Sequence, residues 1–197
     1  MISTIASMFS GYRQLMFALA LVAIAVSACK EGSKDATSPE DVAGGIAKSV
    51  RSDADILGLL KEANRAEIAA GQLAAVRSSN TDVKSFGTNM VTEHTALDAT
   101  ADGVAAQLKL TPTMPNDDLA REQNAEISGI SGLGASNFGF HYMSMQVTAH
   151  QRTLALIDAF IAKAQAASLR TSLQNDVRPH IVVHLAAAQQ LKARVSP

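Results

Sequence analysis

The chain has one cysteine in 197 residues, no tryptophan, two tyrosines and six phenylalanines. A single cysteine excludes a disulfide framework and any zinc site built on several thiolates. Lys and Arg number 17 against 18 Asp and Glu, a net charge of −1. That balance offers no cationic surplus to a phosphate backbone, so nucleic acid is not an expected partner. No segment alternates strictly between apolar and polar residues, the signature of a half-buried strand. What the sequence does have is Ala, Leu and other aliphatic residues, within a composition that is 47% hydrophobic but only 4% aromatic. This suits a helical protein with a finely packed core.

The apolar residues are unevenly spread. Residues 15–26 (LMFALALVAIAV) carry no charge, Arg13 stands just before them, and the small residues Ser27 and Ala28 close the run. A positive start, a short apolar centre and a small-residue end form the order of a secretory signal. The run is too short for a comfortable transmembrane span. Val26-Ser27-Ala28-Cys29 resembles the bacterial lipoprotein signal. The resemblance implies cleavage before Cys29, acylation of its thiol and new amino group, and attachment to a membrane through that lipid. In Gram-negative lipoproteins an Asp after the Cys favours the inner membrane. Lys30 stands there instead, so the expected place is the outer membrane, facing the periplasm. Residues 1–28 are expected to be leader. Residues 29–51 are polar with Gly, Ser and Pro, and read as a flexible tether. Residues 52–195 are expected to fold.

From Asp53 the pattern becomes helical. Ile56, Leu60, Ala63, Glu67, Ala70 and Ala74 recur at steps of three and four, to about Arg77. Ser78-Ser79-Asn80-Thr81 reads as a turn with a cap. Val83, Phe86, Met90, His94, Leu97, Ala101, Val104 and Leu108 then form a second stripe. Thr111-Pro112 and Met114-Pro115 break the chain, and a short polar helix is expected over Asp117–Ile130. A long helix from about Ser136 to Ala167 carries Met143, Val147, His150, Leu154, Ile157, Ile161 and Ala164. The last helix, about Leu169 to Ala193, carries Leu173, Val177, His180, His184, Ala188 and Leu191. Pro179 lies inside it and must kink it or begin a new helix near Asn175-Asp176. The expected fold is all-α, a four-helix bundle with an extra short helix between the second and third long helices. The link from Leu110 to Asn137 either returns the chain along the whole bundle or forms a bulky corner.

Five polar residues sit where these stripes call for apolar ones: Glu67, His94, His150, His180 and His184. Counted from the turn at Asn80, Glu67 and His94 both lie at roughly 20 Å. His150 and His184 match within about a turn, counted from Ser168. His141 stands nine residues before His150 and falls on the opposite face, as a solvent or loop histidine. Imidazole and carboxylate groups converging on rigid helices suit a transition-metal ion such as zinc, copper or iron. Glu93 and Tyr142 would stand behind those ligands. The same groups also suit a structural network in which a buried Glu pairs with His or accepts from Tyr142.

Several local motifs resemble domain-of-unknown-function family 4142, a bacterial family often labelled outer-membrane protein. They are Ala66-Glu67-Ile68, Val83-Lys84-Ser85-Phe86 with Met90 and Glu93-His94, Phe138 and Tyr142 with His150, and Pro179 with His184. The resemblance covers about residues 53–192 and implies a ferritin-like bundle, secretion and lipid anchoring. Gly139 departs from the acidic residue usual after the Phe of the third motif, and Glu93 replaces an Asp. The family carries no established activity. Ferritin-like di-iron enzymes use Glu-x-x-His motifs, whereas Val91, Val147 and Ile181 precede His94, His150 and His184 by three. Iron oxidation and iron storage are therefore not expected. Nor is nucleophilic catalysis, since the one Cys is assigned to lipid and no Gly-x-Ser-x-Gly occurs. Gly132-Leu133-Gly134 lacks the strand that a phosphate-binding loop requires. The first expectation is a non-enzymatic envelope lipoprotein whose Glu/His cluster is structural. The alternative is a bundle that binds one metal ion, with a redox or detoxifying role.

Overall fold

The computed structural model of the protein describes residues 37–195. The expected leader, Cys29 and residues 30–36 of the expected tether lie outside them. In chain order the helices are α1 (Pro39–Ser49), α2 (Asp53–Arg77), α3 (Thr81–Leu108), α4 (Asp118–Ser131), α5 (Ala135–Lys163), α6 (Ala167–Ser172) and α7 (Arg178–Lys192). A π-helical turn, Leu173–Val177, joins α6 to α7 without a break. No strand occurs among the described residues. No described helix is long and apolar enough to cross a membrane.

The helix starts follow from local chemistry. Ser52 and Asp55 form a reciprocal capping box at α2. The Asn80 side chain caps α3 by accepting from the backbone N–H groups of Asp82 and Val83, as the turn reading expects. Lys109 ends α3 in the left-handed conformation, with φ 56°, just before Pro112 and Pro115.

The tether expected over residues 29–51 is corrected in its second half. Ser38 caps α1, Pro39 starts it, and its apolar residues Ala43, Ile46, Ala47 and Val50 are buried. They join one core with Leu156, Ile157 and Phe160 of α5. Gly44, Gly45 and the flanking polar residues dilute that short stripe in the sequence. Among the described residues the packed helices therefore start at Ser38, ahead of the expected boundary at residue 52.

The long link is a full-length crossover. Thr113 donates its backbone N–H to Ala54 O at the start of α2. Twenty residues on, Arg77 at the end of α2 donates to Leu133 O, and Ser79 Oγ donates to Ala135 O. The chain thus climbs beside α2 through α4 and enters α5 at the opposite end of the bundle. At the foot of α5 the backbone N–H groups of Gln165 and Ala166 both donate to the Asp53 carboxylate, at 2.8 Å each. The result is an all-α four-helix bundle of ferritin-like topology, with one long crossover that carries a short helix.

Pro179 has no N–H to give to the carbonyl four residues back. The chain adapts by widening: Arg178 N–H reaches Leu173 O, five residues back. Helix direction is kept, and Ile181 takes the core place between Val177 and His184. His180, expected on the core stripe, turns outward with 52% of its side chain exposed.

The apolar core has two parts. One holds Ile56, Leu60, Leu97, Leu156, Leu173 and Ile181, and the other holds Ala74, Phe86, Met90, Phe138, Met143 and Leu191. On α2, α3, α5 and α7 the residues between the two parts include Asn64, Glu67, His94, Gln146, His150 and His184, all buried and polar. A polar layer thus crosses the middle of the bundle.

Candidate metal centre

Each long rod contributes to this layer because its core stripe continues through it at helical spacing. The rings of His94 on α3, His150 on α5 and His184 on α7 approach one another at steep angles. Their centroids lie 5.8 Å apart for His94 and His150, 5.4 Å for His150 and His184, and 5.1 Å for His94 and His184. Each offers one ring nitrogen, and the three offered atoms lie within 4.8 Å of one another. Side-chain exposure of His150 and His184 is 1% and 2%, so water is excluded from the rings.

The outer nitrogens are all engaged by oxygen. His94 Nδ1 lies 2.9 Å from Asn64 Oδ1. His150 Nδ1 lies 2.9 Å from the Gln146 carbonyl. His184 Nε2 lies 2.6 Å from Glu93 Oε2. Each oxygen is an acceptor, so each of these nitrogens carries the proton and the other nitrogen of each ring keeps a bare lone pair. Those other nitrogens, His94 Nε2, His150 Nε2 and His184 Nδ1, are buried and have no hydrogen-bond partner. Three oriented imidazoles with unused lone pairs could hold a transition-metal ion.

The electrostatics agree. Burial pushes the His94 pKa well below the ordinary histidine value, with His150, His184 and His180 nearby adding to the effect. Burial lowers His150 to about 4 and also lowers His184. All three rings are neutral near pH 7, the form that ligates a metal without first losing a proton.

Glu67 does not join the three converging nitrogens. Its Oε1 lies 3.9 Å from His150 Nδ1, on the engaged side of that ring, and Gln146 Nε2 donates to its Oε2 at 2.8 Å. Burial raises its pKa, against the lowering effect of the Gln146 hydrogen bond. The height match with His94 is met by Asn64, one turn below Glu67. His180 also stays outside the buried triad and faces Glu93, with Nδ1 3.6 Å from Glu93 Oε2. Glu93 holds His184, and its hydrogen bond to that ring lowers its own pKa. Tyr142 is fully buried and stacks on Phe138 at 5.7 Å, but its hydroxyl has no hydrogen-bond partner. It is a core aromatic that makes no hydrogen bond to a histidine. His141 is exposed, as its phase expects.

Sequence reasoning missed Asn64, Gln146 and Arg152. Asn64 and Gln146 stand one helical turn before Glu67 and His150, a spacing that pointed to them. Arg152 is 1% exposed and forms a two-pronged ion pair with Glu126 of α4, both contacts at 2.7 Å. It pins the crossover helix beside the polar layer.

A family model described as Domain of unknown function (DUF4142) matches residues 38–191. No curated protein and no solved structure matches the chain.

Proposed function

The chain belongs to that family, and on that premise we propose that it holds a transition-metal ion on His94, His150 and His184 in the bundle interior. The carrying observation is the set of three buried imidazole nitrogens without a partner, on rings whose other nitrogens are all engaged. An unpartnered buried polar atom costs about 1–3 kcal/mol, and one metal ion would satisfy all three nitrogens together. Neutral imidazoles without thiolate, and with carboxylates only at the back, suit zinc or copper better than a carboxylate-rich iron pair. The ion would be sequestered here, away from water, in a storage or detoxifying role. The leader and the Val26-Ser27-Ala28-Cys29 motif support a lipid-anchored protein of the outer membrane, so the site would work in the periplasm.

Elemental analysis of the purified protein tests the reading. It expects near-stoichiometric zinc or copper that is lost in a His150→Ala, His184→Ala double variant. Protein that is metal-free, takes up neither ion on incubation, and stays folded in chelator contradicts it.

A further inference from the structure

His184 belongs to two groups. Besides the buried triad, its ring lies with Glu93 and His180 in a second cluster whose ligand atoms are again all within 4.8 Å of one another. Its two nitrogens have different surroundings. Nδ1 is the buried atom without a partner, and Nε2 faces Glu93 Oε2 at 2.6 Å. His180 Nδ1 lies 3.6 Å from the same carboxylate oxygen. The side chains of Glu93 and His180 are 41% and 52% exposed, so the second cluster opens to solvent where the first does not. A carboxylate and two imidazoles on adjacent helices form a mixed oxygen–nitrogen donor set, suited to copper(II) or zinc. The π-helical turn explains the pairing: it lets Ile181 fill the core and sends His180 outward to Glu93.

We propose that Glu93, His180 and the outer nitrogen of His184 form a second, solvent-facing transition-metal site, joined through the His184 ring to the buried triad. The proposal deepens the reading of the buried triad, since His184 is common to both. When both sites fill, His184 coordinates through both nitrogens. The Nε2–H bond breaks, its electron pair becomes the bond to the outer ion, and the proton leaves to bulk water. No atom changes oxidation state.

Copper(II) titration of the purified wild-type protein tests this, read by bound copper per chain and by electron paramagnetic resonance. The proposal expects two ions per chain. Their signal intensity per copper falls well below that of a one-ion variant, because a shared imidazole ring couples the two spins. His180→Ala is expected to retain one ion with full intensity. His94→Gln is expected to lose the buried ion and keep the outer one. One ion in the wild type, unchanged in His180→Ala, overturns the second site and leaves the buried triad standing. One ion that is lost in His180→Ala and kept in His94→Gln supports the outer site and contradicts the buried reading. Two ions at full intensity overturn the shared ring. The exposed His180 variant decides the matter even where His94→Gln fails to fold.

Discussion

His94 on α3 and His184 on α7 stand with ring centroids 5.1 Å apart. Neither ring donates to the other, and each is held from behind by an oxygen of a different residue, Asn64 or Glu93. These contacts oppose rotation of either ring and leave each with one unpartnered nitrogen. Such orienting contacts typically carry a roughly tenfold to hundredfold effect on metal affinity.

Asn64→Leu therefore has two expected effects. It leaves a buried N–H of His94 without an acceptor, costing about 1–3 kcal/mol. It also weakens zinc binding by about tenfold or more. Denaturant melts and competition with a chromogenic chelator measure both. Unchanged zinc affinity in a folded variant would count against the orienting role.

Acid should destabilise the metal-free protein through its histidines. With His150 at about 4 in the fold and near 6.5 when unfolded, the unfolded chain binds more protons between those values. Stability then falls as pH drops from about 6.5 to about 4, by on the order of 3 kcal/mol for His150 alone. The lowered pKa values of His94 and His184 act in the same sense. Glu67 opposes them, because its raised pKa gives stability that is present at low pH and lost as pH rises. Urea midpoints at about pH 7 and about pH 5, in chelator, should differ in wild type and differ less when His150 is replaced by Leu. A flat profile in wild type contradicts neutral buried rings.

Glu126→Ala should be among the most damaging single changes outside the polar layer. It strips the main partner from the buried Arg152 guanidinium. Breaking such a pair typically costs about 3–5 kcal/mol. Arg152→Met with Glu126→Leu should recover much of that loss. Thermal melts that show Glu126→Ala close to wild type would show that the pair does not hold α4.

Gly87→Ala should loosen the α2–α3 hairpin. A Cβ on Gly87 would sit 2.7 Å from Gly71 O and 2.8 Å from Ala74 Cβ, against a rigid backbone. Overpacking of this kind costs about 1–3 kcal/mol. Gly103→Ala meets no atom within 4 Å and should be neutral or slightly stabilising, since Ala outranks Gly in a helix. The opposite ranking in thermal melts would contradict the close helix contact.

Much of the fold is legible in the sequence because single apolar stripes at a 3.6-residue period leave few alternatives. Ile56 to Ala74 and Val83 to Val104 are buried as the stripes expect. The α5 stripe is less legible. Val147, Leu154 and Ile161 are only half-buried, while Tyr142, Gln146, Thr153 and Leu156 face inward. A helix touching neighbours on several sides buries a broad face, and a narrow stripe misplaces its centre. Of the five candidate ligands, His94, His150 and His184 converge. His180 does not, because a π-helical turn shifts the phase, which fixed-period counting cannot see. Glu67 stands near the expected height but on the far side of His150, a matter of side-chain direction rather than spacing.

The most direct test is X-ray absorption at the zinc edge on His180→Ala protein loaded with one equivalent of zinc, which isolates the buried site. The account predicts three imidazole ligands, with one of them lost in a His180→Ala, His150→Gln variant. An oxygen-dominated shell, or a spectrum untouched by the His150 change, would contradict a centre built on His94, His150 and His184.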